Sequence, residues 1–266
     1  MEASMDFVPI CGFPVMEAAS KDIAENLLST IEERNRRIIF FANTNFVMKC
    51  GHLQERMPPE EVVILNDGLG MDLAAYLVRR RAFKENLNGT DFIPYLLKQA
   101  KRKLRVYLLG SSPDSLFSVA KHVNRAYGQR VVGLRDGYES LSSSRAVLKS
   151  INRAQPDMLL VALGNPYQEE WILKHRHFIQ CPLIFAVGGL FDFWAGVKPR
   201  APFLVQKMRL EWLFRLCLEP QRMLRRYTVD VARFFLKCRN DIATRKRSTT
   251  AMTQQLLGDR DQRNAQ

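Results

Sequence analysis

An Asn-Asp-Gly turn at residues 66–68 carries the carboxylate best suited to chemistry in this sequence. Asp67 follows a short apolar run, Val62 to Leu65, that is typical of a buried strand, and it precedes an apolar-rich run, Met71 to Val78, that is typical of a helix. In an α/β sheet such turns lie at the carboxyl ends of the strands, where ligands bind. Asp67 is therefore our leading candidate for a catalytic carboxylate. By spacing alone, a role as the cap of the next helix is equally compatible.

Polar turns follow several other strand-like runs. Asn43-Thr44-Asn45 follows Ile38 to Ala42 and offers amide and hydroxyl groups to a sugar or phosphate, although such clusters are more often helix caps. Gly110-Ser111-Ser112 opens a helix, where free N–H groups can cradle an anion. From these and the remaining turns, the candidates for substrate binding are Asn45, Asn88, Asp91, Gly110, Ser111, Gly164, Gly188 and Asp192.

The elements that must position these turns alternate regularly. Strand, turn and helix repeat about six times at spacings typical of βα units, which predicts an α/β fold with a Rossmann-like, doubly wound parallel sheet. The turns at 43–45, 67–70, 110–112, 164–168 and 188–192 would then converge on one crevice.

Composition restricts the class of protein. The chain has 266 residues, of which 47% are hydrophobic, enough for one large α/β domain with an appendage. Its five cysteines are scattered without a CxxC spacing, which argues against a disulfide framework or a zinc site and favours a reducing compartment. We recognise no signal peptide and no apolar run long enough to span a bilayer. Before the polar tail, which contains Asp259-Arg260-Asp261, there is no Asp-x-Asp motif that could clamp a metal on a diphosphate, so we expect no metal and no cofactor.

The positive charge is concentrated near the C-terminus. Residues 198–247 contain 14 Lys and Arg against 4 Asp and Glu, within a chain whose net charge is +13. Two helices, at about 198–218 and 220–239, either form a hairpin packed on the core or a basic amphipathic element that lies on an anionic membrane surface. We therefore divide the chain into a core (1–196), a helical appendage (197–243) and a polar, disordered tail (244–266).

Two functions from other classes are less compatible with the sequence. A nucleic-acid-binding protein would explain the basic helices, but their aromatic residues lie among long aliphatic ones, which suits lipid or a protein core better than base stacking. A nucleotide-dependent oxidoreductase is disfavoured because the chain lacks a GxGxxG motif.

Seven motifs, taken together in their order, carry a resemblance that covers roughly residues 6–240. They are Asn66-Asp67-Gly68, Gly89-Thr90-Asp91, residues 164–169, residues 188–196, Arg200-Ala201-Pro202, residues 211–216 and residues 219–222. On these motifs the chain resembles the WecG/TagA/CpsF family of bacterial glycosyltransferases. The resemblance implies a Rossmann-like core, a UDP-sugar donor, an undecaprenyl-diphosphate-linked sugar acceptor and inversion at the transferred carbon.

The resemblance also implies roles for particular residues. The family's proposed base corresponds to Asp67 and the glutamine of its Pro-x-Gln-Glu motif to Gln168, while Asn43 takes the place of a threonine. The arginines thought to reach the diphosphate fall among Arg215, Arg222 and Arg225. A peripheral location on the cytoplasmic face of the bacterial inner membrane is implied as well, and the separate basic segment leaves a homo-oligomer open.

Two departures from the family pattern bear on the donor. Asn43 replaces the threonine after the first core strand, and Asn86 stands where many members have an arginine. Because both positions are expected near the sugar and phosphate pocket, we favour UDP-glucose and a role in exopolysaccharide synthesis. Transfer of N-acetylmannosamine, the family's better-known activity, is the alternative.

Overall fold

The described strands form one sheet. The computed structural model describes residues 6–137, 144–208 and 210–244. Its strands are β1 (Asp6–Ile10), β2 (Phe13–Glu17), β3 (Arg37–Ala42), β4 (Val62–Asn66), β5 (Arg105–Gly110), β6 (Arg130–Arg135), β7 (Met158–Ala162) and β8 (Leu183–Ala186). They are arranged in the order β1-β2-β4-β3-β8-β7-β5-β6. Only the β1–β2 hairpin among these described pairs is antiparallel, so the predicted α/β class with a parallel, Rossmann-like sheet is confirmed.

Helices cover both faces of this sheet. They are α1 (Ser20–Glu33), α2 (Thr44–Lys49), α3 (Leu69–Arg79), α4 (Gly89–Gln99), α5 (Pro113–Tyr127), α6 (Ser144–Ala154), α7 (Tyr167–His175), α8 (Leu190–Trp194), α9 (Phe203–Lys207), α10 (Glu211–Leu218) and α11 (Pro220–Arg225). Short 3-10 helices occupy Gly51–Arg56 and Arg176–Phe178, a π-helical turn occupies Arg226–Asp230, and a last helix, α12, covers residues 231–244.

The central strands are buried on both sides, which explains their continuous apolar runs. In β3, Ile38 and Phe40 face the cluster that contains residues of α2, α3, α7 and α12. The alternate residues Ile39 and Phe41 face the cluster that contains residues of α1, α4, α5 and α8. The two-residue period of a strand therefore divides one run of hydrophobic residues between two cores.

The strand order brings the candidate turns together. β3 pairs with β4 on one side and β8 on the other, and β8 pairs in turn with β7. All four strands are parallel, so the turns at their carboxyl ends lie side by side at one edge of the sheet. This is the arrangement in which open α/β sheets bind ligands.

The appendage differs from its prediction in its first helix. The break at Glu219-Pro220 is present, because Pro220 begins α11, but the expected single helix over 198–218 is divided into α9 and α10. The last helix agrees with the alternative of a hairpin packed on the core, because α12 buries Phe234 and Cys238 in the same cluster as the β1–β2 hairpin. The thiols of Cys11 and Cys238 are 3.1 Å apart. The predicted tail begins within α12, and its residues 245–266 lie outside the described residues.

No described helix combines the length and the apolar composition that crossing a bilayer requires.

Candidate active site

A cavity of about 1370 Å³ opens at the carboxyl edge of the sheet, between the core turns and the appendage. It is larger than the ~300–1,000 Å³ of ordinary small-molecule pockets. The predicted site residues that line it are Asn43, Asn45, Asp67, Asn88, Ser111, Gly164, Gln168, Gly188, Asp192 and Arg215. Asp91, Gly110 and Arg225 lie outside its lining, and the side chain of Arg222 lies outside the described part of the chain. The functional roles of all these residues stay predictions.

Asp67 is fixed from two sides at the floor of the cavity. Its backbone N–H donates to the carbonyl of Ala42 (2.8 Å), which continues the pairing of β3 and β4. Its carboxylate accepts a hydrogen bond from Asn43 Nδ2 (3.0 Å). The alternative role suggested by the sequence does not apply, because the N-cap of α3 is Gly68 and no side chain caps that helix.

Asn43 links the carboxylate to a helix cap. Its Oδ1 accepts the backbone N–H of Phe46 (3.1 Å), so Asn43 is the N-cap of α2. With Oδ1 held by the helix, Nδ2 is directed at Asp67. The polar cluster after β3 therefore acts as a helix cap, as such clusters commonly do, and also orients the candidate base.

The environment of Asp67 raises the pKa of its carboxyl above the ordinary value. Burial is the main cause, and the charge of Asp91 acts in the same direction. The hydrogen bond from Asn43 and the positive charges of Arg215 and Arg226 lower the pKa and so limit the rise. A carboxylate with a raised pKa is a stronger base than an exposed one, which suits removal of a proton from a hydroxyl group.

Asn86, the second departure from the family pattern, supports the turn after Asp67. Its Oδ1 accepts the N–H of Gly68 (2.8 Å), whose φ of +89° is readily available only to glycine. The neighbouring Glu85 accepts a hydrogen bond from Asn66 Nδ2 on its carbonyl (2.9 Å). Asn86 is outside the lining of the cavity, so its described contact is with the backbone of the turn.

Gln168 connects two turns rather than projecting freely into the cavity. Its side chain is only 3% exposed. Its Oε1 accepts the N–H groups of Gly164 (3.2 Å) and Gly188 (3.1 Å), which follow β7 and β8. The amide of Gly188, a candidate for substrate binding in the sequence analysis, thus donates within the protein.

Glu169 is a buried acid that the sequence analysis did not single out. It is 1% exposed, and its Oε1 accepts hydrogen bonds from Asn165 Nδ2 (2.7 Å) and Gln168 Nε2 (2.8 Å). Burial raises the pKa of Glu169 to about 7, against the opposing effect of hydrogen bonds that include those with Gln168, Cys50 and Asn165. A glutamate inside a helical motif gives no sequence signal of such burial.

Two arginines form a cationic wall opposite the core turns. Arg215 lies over the ring of Phe193, 5.1 Å from its centroid, and lines the cavity together with Arg226. Arg226 was missed in the sequence, where Arg225 was preferred. α11 ends at Arg225 and a π-helical turn begins at Arg226. That change in winding could not be read from the two adjacent arginines.

The segment that joins core and appendage carries two cations, each placed between an acid of the core and an acid of the appendage. Lys198 Nζ lies 3.1 Å from Asp192 and 3.4 Å from Glu219. Arg200 forms an ion pair with Asp91 and lies 3.8 Å from Glu211. These contacts hold α10 and α11 over the cavity.

The predicted phosphate cradle is only partly exposed to the cavity. Ser111 lines it, but Gly110 packs against β7, where an added Cβ would lie 2.3 Å from the carbonyl oxygen of Ala162. Gly110 is therefore required for close approach of two strands. Among the described residues, no group of three or more His, Cys, Asp and Glu side chains is arranged to hold a metal ion.

Comparison with known proteins gives one family and a set of related enzymes. The sequence model described as the glycosyl transferase WecG/TagA/CpsF family matches residues 8–248. A Bacillus subtilis (strain 168) protein named N-acetylglucosaminyldiphosphoundecaprenol N-acetyl-beta-D-mannosaminyltransferase is 35% identical over 168 residues, which is 62% of this chain and 64% of the relative. Proteins of the same name from Bacillus spizizenii and Staphylococcus aureus (strain NCTC 8325 / PS 47) are 33% identical (62% of this chain, 64% of the relative) and 27% identical (63% and 66%). The chain thus matches just under two thirds of each relative's length.

Proposed function

Because the chain belongs to the WecG/TagA/CpsF family of glycosyl transferases, we propose that it transfers a sugar from a UDP-sugar donor to a sugar carried on polyprenyl diphosphate. The observation that carries this proposal is the position of Asp67. Its carboxyl has a raised pKa, is oriented by Asn43, and faces a cavity whose wall carries Arg215 and Arg226.

The proposed reaction is a single displacement. Asp67 removes the proton from the acceptor hydroxyl while that oxygen forms a bond to the anomeric carbon of the donor. The bond from this carbon to the donor's diphosphate breaks on the opposite face, so the configuration inverts. General base catalysis of this kind contributes typically ~10²–10⁴-fold to the rate. Arg215 and Arg226 supply positive charge for diphosphate groups in the cavity.

For the transferred sugar we propose N-acetylmannosamine rather than glucose. The relatives reported above are named as N-acetylmannosaminyl transferases, which supports the alternative from the sequence analysis over UDP-glucose. The two departures that favoured glucose also have another explanation. Asn43 and Asn86 contact the Asp67 turn, so neither substitution requires a different donor.

For the acceptor we propose N-acetylglucosamine on undecaprenyl diphosphate, again from the names of the relatives. A lipid-linked acceptor requires the enzyme to work at a membrane. We therefore propose that the protein is peripheral on the cytoplasmic face of a bacterial inner membrane. The basic, partly apolar appendage supports this location, since α9–α11 expose Leu204, Met208, Leu218 and Leu224.

The test is a transfer assay with the purified full chain. UDP-N-acetylmannosamine and UDP-glucose are offered separately, each with lipid-diphosphate-linked N-acetylglucosamine and with lipid-diphosphate-linked glucose. We expect transfer of N-acetylmannosamine to the N-acetylglucosamine lipid, and a loss of about 10²–10⁴-fold in kcat for Asp67→Asn.

Asp114→Asn is the matched control, because Asp114 is an exposed aspartate in the first turn of α5. It should retain wild-type activity, and both variants should unfold at wild-type urea concentrations. Full activity of Asp67→Asn would remove Asp67 from the mechanism, and transfer of glucose to the glucose lipid would restore the exopolysaccharide proposal.

A further inference from the structure

The helix that follows Asp67 is apolar on its outer face as well as its inner one. Met71, Ala74 and Ala75 of α3 are buried in the core. On the opposite side, Leu69, Leu73, Tyr76 and Leu77 are each at least 40% exposed. Their spacing places them in one stripe along the helix. A surface helix of a soluble domain normally presents polar residues on this side, so the exposed apolar stripe indicates an interaction surface.

A second helix continues this surface. An apolar groove of about 730 Å³ lies between α3 and α12. It is lined by Leu73, Tyr76, Leu77, Ala232, Phe235, Leu236, Arg239 and Ile242. We call this groove with the α3 stripe the α3–α12 face. It joins a helix of the core to the last helix of the appendage, which is anchored beneath it by the buried Phe234 and Cys238.

Basic residues stand beside the apolar ones on this face. Arg239 lines the groove itself. Two more arginines of the same two helices are exposed, although neither lines the groove: Arg80 at the C-cap of α3 and Arg233 on α12. A surface with apolar side chains at its centre and guanidinium groups around them is complementary to an anionic lipid bilayer, where leucine and tyrosine enter the interface and arginine reaches the phosphate groups.

The face has a fixed relation to the candidate base. Leu69, the first residue of the stripe, is two positions after Asp67, and Leu77 lies about 12 Å further along the helix at ~1.5 Å per residue. If α3 lies along a bilayer, the Asp67 turn is held beside the headgroups. The diphosphate of a lipid-linked sugar lies at that same level.

We propose that the α3–α12 face rests on an anionic membrane surface and thereby holds the Asp67 turn at the depth of the lipid headgroups. The consequence for catalysis rests on the proposed function, whereas the membrane contact itself does not. It adds a helix of the core to the surface provided by α9–α11.

The first experiment measures co-sedimentation of the full chain with vesicles. One set contains phosphatidylglycerol and phosphatidylcholine, and the other contains phosphatidylcholine alone. We expect the wild type to bind the anionic vesicles preferentially. The double variant Leu73→Gln/Leu77→Gln should bind them at least about tenfold more weakly, because two leucine side chains are no longer transferred from water into the bilayer interface. The control Phe117→Gln/Phe178→Gln removes two exposed rings from other surfaces and should bind as the wild type does.

A second measurement separates this proposal from the proposed function. Transfer is followed with a short-chain, water-soluble diphosphate-linked sugar and with a long-chain acceptor in vesicles. The double variant should match the wild type on the soluble acceptor and lose about tenfold or more on the vesicle-bound one. If the wild type transfers to neither acceptor, the proposed function fails, but the vesicle binding still decides the present proposal.

Two results would overturn the proposal. One is unchanged binding of Leu73→Gln/Leu77→Gln to anionic vesicles. The other is a wild-type dimer, measured by light scattering, that becomes monomeric in the variant while vesicle binding is retained, since the face would then be an interface between two copies of the chain.

Discussion

Asp67 must be deprotonated to act as a base, although its surroundings favour the protonated form. Burial raises its pKa, while Asn43, Arg215 and Arg226 each lower it. The two arginines therefore have a second effect beyond attracting phosphate groups, because they keep the carboxylate charged at a lower pH than burial alone would allow.

The first prediction concerns Arg226→Met. Removal of this positive charge should raise the pKa of Asp67, so the acid limb of the kcat/KM profile should move to higher pH. The measurement is kcat/KM for the donor across the acid range, since this ratio reports ionisations of the free enzyme. Arg125→Met, an exposed arginine of α5, should leave the acid limb in place. An unchanged limb in Arg226→Met would show that its charge does not act on the base.

Glu169 gives a second prediction, on stability. Because burial raises its pKa from 4.5 to about 7, the folded state binds a proton more tightly than the unfolded state. The contribution of this proton binding to the free energy of unfolding is thus fully present below pH 4.5 and is lost as the pH rises through about 7. Glu169→Gln should remove this dependence, so above pH 7 its free energy of unfolding should exceed that of the wild type by up to about 3 kcal/mol.

Urea unfolding below pH 4.5 and well above pH 7 measures this difference. The neighbour Glu170 provides the control, since its side chain is 40% exposed and pairs with His52 at 3.0 Å. Glu170→Gln should change stability little at either pH. A stability difference between Glu169→Gln and the wild type that does not vary with pH would contradict the assignment of a raised pKa.

At the scale of the elements, the segment between α8 and α9 sets the position of the cationic wall formed by Arg215 and Arg226. Lys198 and Arg200 each contact one acid of the core and one of the appendage. Such partly exposed pairs are worth little individually, about 0–1 kcal/mol. Their effect lies in geometry, because they connect the core at the carboxyl edge of the sheet to α10, which carries Arg215, and to α11, which leads into the π-helical turn that carries Arg226.

The third prediction is therefore kinetic. Lys198→Met/Arg200→Met should lower kcat/KM for the lipid-linked acceptor by about five- to tenfold, because α10 and α11 lose contacts that hold them over the cavity. The free energy of unfolding of this double variant should fall by no more than about 1 kcal/mol for each ion pair that the substitutions remove. Kinetics and urea unfolding on the same preparations measure both.

Arg102→Met is the matched control for this pair. Arg102 forms a two-pronged contact with Asp157 (both 2.9 Å) at the opposite end of β5 from the cavity. We expect Arg102→Met to lower the free energy of unfolding without changing kcat/KM. Equal kinetic losses in the two variants would mean that general destabilisation, rather than placement of the appendage, reduces the rate.

The βα units were predictable because their signal is local. Apolar runs such as Ile38 to Ala42 are long enough to indicate buried strands, and turn residues such as Gly68 mark where they end. The break between α9 and α10 was not predictable, since residues 204–216 keep apolar side chains at helical spacing among the charged ones and contain no Gly or Pro. Docking of α12 depends on contacts with residues more than 200 positions away, as between Cys11 and Cys238.

The site was predictable to a similar degree. Asp67 and Asn43 could be found because each follows a strand directly, and sheet topology alone brings them together. Three features depend on how separate elements pack: the internal hydrogen bonds of Gln168, the burial of Glu169 and the presence of Arg226 rather than Arg225 in the cavity lining. No pattern within one segment contains that information.

At the scale of the whole molecule, the fourth prediction concerns the dependence of the core on the appendage. Phe234 of α12 is fully buried beside the β1–β2 hairpin, whereas Leu236, two positions later, is 58% exposed. Phe234→Ala should lower the free energy of unfolding by about 3–5 kcal/mol. Leu236→Ala should lower it by about 0.5 kcal/mol or less. Urea unfolding measures both, and similar values for the two would mean that α12 is not part of the core.

The contact between Cys11 and Cys238 also has a consequence for synthesis of the protein on the ribosome. The two residues are 227 positions apart, so the hairpin that contains Cys11 is made long before the helix that covers it. At ~5–20 residues per second, the interval is roughly 10–45 s. During that time the apolar side chains of the hairpin that α12 covers in the folded protein have no helix over them. A chaperone that binds apolar segments can therefore bind the nascent chain there.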